Sequence, residues 1–356
     1  MRMTRRKMLG TLAAAVPLLA AAPLAFAAES KARKRLGVCS YSYNLHWKAA
    51  REGHPQARFK DMLGFLDYCH SLGAGGVQIG VSEKERGSAA KIRSKLEEYG
   101  MYLEGQVSLP KDTADLDPFQ AELQACKEAG AEVVRSAMLN GRRYETFESA
   151  EAFRQFAERS WLSLTLAEPV LKKHRLRLAI ENHKDWRVSE FLDLLKRLSS
   201  EWVGVCLDTG NNIALLEEPL AVVEALASYA ISSHLKDMAV QEYEEGFMLS
   251  EVSLGEGFLD LRRMIAAMRA ANPKLQFTLE MITRDPLKVP CLTEKYFATM
   301  PALPAGELAS GLRRIRAHAS QKPLPRTSGL TMTEQLALED DLVRKSFIYA
   351  NRELAL

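Results

Sequence analysis

The amino-acid sequence predicts an α/β fold of the (β/α)8 TIM-barrel class. Eight short apolar segments alternate with longer amphipathic segments, a pattern that is typical of successive βα units. Four successive apolar segments in the second half of the chain each end in an acidic residue or a histidine. About 330 residues follow the N-terminal leader, which is enough for one large barrel.

The strands are predicted from short apolar runs, and the helices from apolar residues that recur at helical spacing. In chain order the strands lie at 36–43, 76–80, 102–108, 132–138, 178–181, 203–208, 231–234 and 275–280. Glycine at positions 73, 100 and 130 gives the stop signal for three helices. The helices lie at 59–72, 89–99, 119–129, 148–174, 188–198, 220–228 and 259–271, with a bend expected near Pro169.

Two stretches interrupt the βα pattern. Residues 239–257 follow the seventh strand and residues 283–306 follow the eighth. Both would rise from the end of the barrel at which the strands finish, where loops commonly determine specificity. We assign the barrel to 36–320 and a C-terminal linker and helix to 321–356. We expect this charged helix, 332–350, to pack on the outside of the barrel or on a second subunit of a homo-oligomer.

The N-terminus is predicted to be a targeting signal. Arg5 and Arg6 precede an alanine-rich apolar stretch at 12–24, and Ala25-Phe26-Ala27 fits a cleavage site. We therefore predict a twin-arginine signal peptide at 1–27 and a linker at 28–35. The twin-arginine export machinery would deliver the folded protein to the periplasm or the cell exterior, with no stable membrane association after cleavage. A membrane anchor is the alternative, but the apolar stretch is short and contains two prolines.

Charge and cysteine content exclude several function classes. The whole chain has a net charge of +3, and removing the leader, with four cationic and no acidic residues, leaves −1. Such a balance argues against nucleic-acid or anionic-membrane binding. It favours a neutral polar substrate or a small anion held by a few local cations. The five cysteines show no paired spacing, which argues against a disulfide scaffold and against a thiolate zinc site.

Four strand-terminal residues form a predicted metal site, namely Glu181, Asp208, His234 and Glu280. Because parallel barrel strands all finish at one mouth, side chains that are far apart in sequence converge there. Three carboxylates and one imidazole are an oxygen-rich ligand set for one divalent cation. The set favours Mn²⁺, with Mg²⁺, Zn²⁺, Co²⁺ and Fe²⁺ as alternatives. Taken singly, each residue also fits a structural role, such as a helix cap, a salt bridge or an interior histidine.

Five motifs around these residues carry a family resemblance. They are Ile180-Glu181-Asn182-His183, Leu207-Asp208-Thr209-Gly210-Asn211, His234-Leu235-Lys236-Asp237, Leu254-Gly255-Glu256-Gly257 and Leu279-Glu280. Together they resemble the sugar phosphate isomerase/epimerase family, the xylose isomerase-like TIM barrels, over residues 36–320. The motifs are specific to the superfamily and not to one reaction or sugar. No glycine-rich phosphate loop is evident after the last two strands, so the family name does not identify the substrate.

The resemblance implies a divalent-metal-dependent isomerase or epimerase of a ketose, an aldose or a related sugar. The cation would chelate the carbonyl and the adjacent hydroxyl and stabilise a cis-enediolate. Glu181 and Glu280 resemble the pair that both binds the metal and carries the proton in this family. Returning the proton to the same carbon from the opposite face would epimerise the sugar, and delivering it to the neighbouring carbon would isomerise it.

Further residues near the strand ends are candidates for substrate binding. His183 and Lys236 each lie two residues beyond a proposed ligand, so their side chains would point the same way; a loop hydrogen bond and a salt bridge are the alternatives. Asn211 lies where several family members carry a substrate-binding histidine, so substrate identity does not transfer directly. Gln106 and Arg135 are candidate wall residues. Four aromatic residues would either stack on a sugar or pack in the core: Tyr41, Tyr43, Trp47 and Trp186.

Three rival functions fit parts of the same pattern. Zinc-dependent abasic-site endonucleases resemble the chain in fold, but their additional His and Asp ligands are missing here, and an exported protein meets no genomic DNA. A metal-dependent lyase or hydrolase of oxidised 3-keto-glycosides would use the same metal and base for β-elimination, and export favours such substrates. A non-catalytic sugar-binding barrel is the third interpretation.

Overall fold

The computed structural model describes residues 35–81 and 88–356 and confirms the predicted barrel. The strands in chain order are β1 (Gly37–Cys39), β2 (Gly76–Gly80), β3 (Tyr102–Gln106), β4 (Val133–Ser136), β5 (Arg177–Glu181), β6 (Val203–Asp208), β7 (Ala230–Leu235), β8 (Asp237–Tyr243), β9 (Gly246–Val252), β10 (Thr278–Leu279) and β11 (Leu287–Val289). Strands β1 to β7 pair in sequence order, and β10 closes the barrel between β7 and β1. All eight pairs are parallel, so the strands share one C-terminal mouth.

The helices pack around this barrel. They are α1 (Asn44–Arg51), α2 (Met62–Ser71), α3 (Ala89–Tyr99), α4 (Leu116–Glu128), α5 (Arg143–Thr146), α6 (Ala150–His174), α7 (Val188–Leu198), α8 (Pro219–Leu226), α9 (Leu261–Ala271), α10 (Glu294–Phe297), α11 (Ala305–Ala317) and α12 (Met332–Tyr349). Helix α6 is continuous and contains Pro169. In the described part of the chain, no helix combines the length and the apolar character needed to cross a bilayer.

The first and last barrel strands are shorter than the sequence predicts. After Cys39 the chain turns into a 3₁₀ segment, and β10 ends one residue before Glu280. The hydroxyl of Ser42 replaces the missing ladder bonds, because it donates to the carbonyl oxygen of Leu279 (3.1 Å) and accepts from the backbone nitrogen of Met281 (3.0 Å). A side chain therefore closes the barrel where the backbones separate.

The two stretches that interrupt the βα pattern are ordered. Strands β8, β9 and β11 form a three-stranded antiparallel sheet in the order β11-β9-β8. One face of this sheet is apolar, with Val240, Phe247, Leu249 and Val289 all buried. These residues pack in a second hydrophobic cluster together with Tyr296 of α10. The sheet is anchored by its own core and so positions side chains beside the barrel mouth.

The C-terminal helix α12 packs directly on the barrel. Leu342 and Val343 belong to the same core cluster as the barrel strands. The buried Glu339 carboxylate accepts hydrogen bonds from the backbone nitrogens of Leu45 and His46, both at 2.9 Å. Residues 321–356, which the sequence separates from the barrel, therefore share its core. The predicted signal peptide and residues 28–34 of the linker lie outside the described residues.

Candidate metal centre

Four side chains from four strands meet at the barrel mouth. Each of Glu181, Asp208, His234 and Glu280 offers one donor atom, and these four atoms all lie within 4.8 Å of one another. The Nδ1 atom of His234 is 3.4 Å from Glu181 Oε2, 3.4 Å from Glu280 Oε2 and 3.9 Å from Asp208 Oδ2. All four residues are buried. The residues that the sequence singled out are thus brought to one point.

The unsatisfied atoms at this point fit a bound cation. The Oδ2 atom of Asp208 and the Nδ1 atom of His234 are buried without a hydrogen-bond partner, although Asp208 Oδ2 has an ion-pair contact with Lys236 at 3.2 Å. The other oxygen of Asp208, Oδ1, accepts from the backbone nitrogens of Gly210 (2.8 Å) and Asn211 (2.7 Å), which fixes the carboxylate. Leaving buried polar atoms unpaired costs free energy, and a divalent cation would satisfy both of them. The donor set is mainly oxygen, as hard divalent cations prefer.

A buried polar chain orients the imidazole of His234. Its Nε2 atom lies 2.8 Å from the Oε1 atom of Gln78, whose amide nitrogen donates to Glu104 Oε2 at 3.0 Å. The hydroxyl of Ser232 donates to the same carboxylate oxygen at 2.6 Å. Because the amide nitrogen of Gln78 donates to a carboxylate, its oxygen faces His234 and accepts a hydrogen bond from Nε2–H. Nδ1 is then the ring nitrogen that faces the three carboxylates and that could bind a cation among them.

Sequence analysis missed Gln78 and Glu104. A signal is present, since each is a polar residue inside a run of apolar strand residues, but strand-end reasoning does not consider such interior positions. Burial raises the pKa of Glu104, and hydrogen bonds from Ser232 and Gln78 oppose that shift.

Arg135 and Lys236 balance the charge of the ligands. Arg135 forms an ion pair with Glu181, and the ammonium of Lys236 lies 2.6 Å from Glu280 Oε2 and 3.2 Å from Asp208 Oδ2. Burial acts to raise the pKa of Glu181, but the neighbouring guanidinium of Arg135 outweighs it and holds that pKa below its usual range. Burial also acts to raise the pKa of Glu280, but the electrostatic effects of His234 and Lys236 outweigh it and hold that pKa well below its usual range. Both glutamates are therefore ionised at neutral pH.

The side chains of Asn211 and His183 also lie near the proposed metal ligand Glu181. The amide nitrogen of Asn211 donates to Glu181 Oε1 at 2.8 Å, and its oxygen accepts from Lys236 at 3.2 Å. The Nδ1 atom of His183 has no hydrogen-bond partner. Burial and the positive charge of Lys184 lower the pKa of His183 to about 3, so its imidazole is neutral. The structure thus places both predicted substrate-binding residues around Glu181.

A cavity of about 640 Å³ is lined in part by Tyr41, Gln106 and Arg135, and Arg135 in turn pairs with Glu181. Gln106 donates to Gln78 Oε1 at 3.3 Å, and the ring of Tyr41 lies 5.7 Å from the guanidinium carbon of Arg135. Both predicted wall residues therefore line this cavity, and each contacts a residue of the candidate metal centre or its support, Gln106 through Gln78 and Arg135 through Glu181. The other aromatic candidates are core residues: Tyr43 and Trp186 are buried, and Trp47 packs against Phe59 and Phe65.

The glycine motif after β9 holds the first residue of β8, Asp237, in place. The Oδ2 atom of Asp237 accepts from the backbone nitrogens of Gly255 (2.9 Å) and Gly257 (3.0 Å). A Cβ atom on Gly257 would lie 2.1 Å from Asp237 Oδ1, so no larger residue fits. Gly255 has a φ of +87°, which favours glycine. The motif holds the chain close to Lys236 and is structural in this protein.

Comparison with known proteins gives one curated relative over a short stretch. The chain is 35% identical over 94 residues to a 3-oxo-isoapionate decarboxylase of Pectobacterium atrosepticum. The match covers 26% of this chain and 34% of the relative, so the chain spans about a third of that relative's length.

Solved structures with the same fold cover much more of the chain. A D-psicose 3-epimerase, crystallised with D-fructose, has a TM-score of 0.55 and 13% identity, covering 80% of this chain and 97% of that one. A 3-keto-D-glucoside 4-epimerase of E. coli has a TM-score of 0.52 and 14% identity, with 80% and 99% covered. A magnesium complex of a xylose isomerase-like TIM barrel protein from Mycobacterium smegmatis has a TM-score of 0.51 and 14% identity, with 78% and 98% covered.

At these identities the likeness shows the fold alone. The family model described as "Xylose isomerase-like TIM barrel" matches residues 66–316, which include all four candidate ligands. The chain belongs to the xylose isomerase-like TIM barrel family.

Proposed function

We propose that the protein is a divalent-metal-dependent carbohydrate isomerase or epimerase that acts through a cis-enediolate. The observation that carries this proposal is the convergence of Glu181, Asp208, His234 and Glu280 within 4.8 Å, with two donor atoms left unpaired. Three carboxylates and one imidazole favour Mn²⁺ or Mg²⁺ over softer metals. The family membership supports the same chemistry.

The two glutamates are suited to moving a proton between substrate carbons. A divalent cation at this centre would polarise the carbonyl and hydroxyl oxygens of a sugar and so acidify the C–H bond between them. Glu181 and Glu280 come from strands that β6 and β7 separate in the barrel, so their carboxylates approach the centre from different directions. One carboxylate takes the proton and the other returns it, on the same carbon or on its neighbour. Removing such a proton requires on the order of 10 kcal/mol of stabilisation from the site.

Cleavage of a 3-keto-glycoside by β-elimination is the second candidate. It needs the same base next to a ketone, and it differs in expelling a leaving group from the substrate. The cavity of about 640 Å³ beside Arg135 favours it, because this space is larger than a single sugar ring requires. The curated relative, which matches this chain over a short stretch, is named a decarboxylase of a 3-oxo compound. Such a decarboxylation also develops negative charge beside a carbonyl.

Metal analysis combined with solvent-deuterium exchange tests the proposal. The purified protein should contain about one divalent metal per chain by inductively coupled plasma analysis. In deuterated water it should place deuterium beside the carbonyl of a free ketose with the carbon skeleton retained, and the chelator-stripped protein should not. Release of an aglycone from a 3-keto-glycoside would select the second candidate. Absence of exchange on every sugar, despite a full metal site, would exclude both functions.

A further inference from the structure

Lys184 is a buried cation beside the metal centre that lacks a carboxylate partner. Its side chain is 1% exposed. Its ammonium donates to the amide oxygen of Asn211. Within residues 35–81 and 88–356, no carboxylate lies within 4.0 Å of that ammonium. A charged group removed from water normally requires a counter-charge, so one neutral acceptor leaves Lys184 poorly compensated.

A second ammonium shares the same acceptor. The Nζ atom of Lys236 lies 3.2 Å from the Oδ1 atom of Asn211, which also receives the bond from Lys184. The ammonium groups of Lys184 and Lys236 therefore share one neutral, buried acceptor, the amide oxygen of Asn211. Lys236 has its own carboxylates, Asp208 and Glu280, whereas Lys184 has none.

The charged groups that act most strongly on Lys184 are already engaged. Arg284 and Lys236 are the cations that act on Lys184, and Glu251 and Asp208 are the carboxylates. Glu251 Oε1 pairs with Arg284 at 2.5 Å, and Asp208 faces Lys236 at 3.2 Å. Burial, followed by the charges of Lys236 and Arg284, lowers the pKa of Lys184 to about 7. A negatively charged ligand would restore the usual pKa and stabilise the ammonium.

The charge balance of the loaded site leads to the same conclusion. Four cationic side chains, Arg135, Lys184, Lys236 and Arg284, face four carboxylates, Glu181, Asp208, Glu251 and Glu280. Among these eight side chains the charges cancel when Lys184 is protonated. A divalent cation would then leave a buried excess of two positive charges, which is unfavourable unless the substrate brings negative charge.

We propose that the substrate is a carbohydrate with an anionic substituent, a carboxylate or a phosphate, which Lys184 and Lys236 hold next to the chelated oxygens. This inference rests on the proposed function and adds the substrate class to it. The anion would accept hydrogen bonds from two ammonium groups, while Asn211 keeps them apart and orients Glu181. A neutral ketose would leave the ammonium of Lys184 without a counter-charge.

Three sugars that differ only at one end test the inference. We would compare D-fructose, D-fructuronate and D-fructose 6-phosphate by isothermal titration calorimetry on the metal-loaded protein. Charge-assisted hydrogen bonds of this kind contribute enough for about a tenfold or greater preference for one of the two anionic sugars. The comparison of D-fructuronate with D-fructose 6-phosphate shows whether the site prefers a carboxylate or a phosphate.

Two substitutions at Lys184 and one remote control identify the residue responsible. Lys184→Met should lower affinity for the preferred anionic sugar about tenfold more than affinity for D-fructose, and Lys184→Arg should retain most of the preference. Lys288→Met removes an exposed positive charge from β11 and should leave the ratio unchanged. Metal content and melting temperature are measured for each variant. If Lys184→Met does not fold, the wild-type preference and its retention in Lys184→Arg still decide the question.

The outcomes separate this inference from the proposed function. Equal affinity of the wild type for neutral and anionic sugars, no binding of either anionic sugar, or an unchanged ratio in Lys184→Met would overturn the anion site. Deuterium exchange on D-fructose in that case would leave the proposed isomerase or epimerase intact. Conversely, Lys184-dependent anion binding without exchange on any sugar would support the anion site and exclude the proposed reaction.

Discussion

The two glutamates of the candidate metal centre differ in how many of their carboxylate oxygens contact a neighbouring side chain. One carboxylate oxygen of Glu181 accepts a hydrogen bond from Asn211, and the other pairs with the guanidinium of Arg135. Glu280 is bonded to Lys236 through Oε2, and it is 4% exposed while Glu181 is fully buried. A carboxylate held on both oxygens is a fixed ligand, whereas one held on a single oxygen retains a free oxygen for proton transfer. If the protein catalyses the proposed reaction, this difference predicts that Glu280 takes the first proton.

Replacing Glu280 by glutamine tests this assignment. Glu280→Gln keeps the size of the side chain but removes its charge and its basicity, so the fold should persist while deuterium exchange falls about 10²–10⁴-fold. Exchange is followed by NMR and the fold by circular dichroism. Glu242→Gln, which alters an exposed ion pair with Arg316, should exchange at the wild-type rate. Unimpaired turnover in Glu280→Gln would remove this residue from the mechanism.

Gln78 should control metal affinity without touching the metal. Gln78→Leu removes the acceptor that holds the Nε2 proton of His234, so the imidazole loses its fixed tautomer. Loss of such a supporting contact typically weakens metal binding about 10–100-fold. The measurement is a competition titration against a fluorescent chelator. Gln241→Leu, in strand β8 of the antiparallel sheet, serves as the control and should bind metal normally. Equal affinity in Gln78→Leu would show that another contact orients His234.

At the scale of elements, helix α12 is fastened to the start of the barrel by one buried carboxylate. Glu339 accepts from two backbone nitrogens and lies 2.8 Å from His46 Nδ1. Glu339→Ala leaves these donors unpaired in the interior, so unfolding should require about 2–4 kcal/mol less free energy. Asp341→Ala on the same helix removes an exposed ion pair with Lys345 and should change stability by less than about 0.5 kcal/mol. Chemical denaturation compares the two, and equal effects would contradict the buried role of Glu339.

Asp285 fastens the segment that leads into α12, and its contribution depends on pH. Its carboxylate accepts from the hydroxyl of Ser328 and from the backbone nitrogens of Ser328 (2.9 Å) and Thr327 (2.7 Å). These bonds lower the pKa of Asp285 from 3.8 to about 2. Because the pKa is lower in the folded state, the stabilisation is complete above the unfolded value and is lost as the pH falls towards 2.

Asp285→Ala should therefore lower the melting temperature at pH 7 and lower it progressively less below pH 4. Thermal unfolding at pH values from 7 to 3 measures this, with Asp341→Ala as the surface control. A deficit that is the same at pH 3 and pH 7 would mean that the Asp285 carboxylate does not act through its ionised form.

Several elements were predictable because their signals are local. Strand β2 and helices α3 and α7 have the predicted bounds, since apolar periodicity and terminal glycine or charged residues mark them. The sheet of β8, β9 and β11 was not predicted. Only one residue separates the end of β7 from the start of β8, and β11, which pairs with β9, lies far along the chain, so no local pattern indicates a separate sheet.

The same distinction holds for the metal centre. The positions of Glu181, Asp208, His234 and Glu280 at strand ends follow from the βα pattern, because parallel strands bring their ends together. The polar residues around them do not follow, because Gln78 and Lys184 contact partners that are far away in the sequence, namely His234 and Asn211. Sequence periodicity shows which face a residue occupies and gives no information on which side chain meets it.

At the scale of the whole molecule, the cation would join strands β5, β6, β7 and β10, which make up half of the barrel. Without it, three buried carboxylates repel one another, and Asp208 Oδ2 and His234 Nδ1 have no hydrogen bond. A ligand that binds only the folded state, present at about 100 times its dissociation constant, adds about 2.7 kcal/mol of stability. Removing the metal with EDTA should therefore lower the melting temperature by roughly 5 °C or more.

Restoring Mn²⁺ to the stripped protein should return the wild-type melting temperature, which differential scanning calorimetry can follow at several metal concentrations. Glu280→Gln retains three of the four ligands, so its melting temperature should rise less at each metal concentration. Asp341→Ala leaves the centre untouched and should show the full rise. A melting temperature that is insensitive to chelation, in protein shown by analysis to have carried metal, would mean that the cation does not bind between these strands.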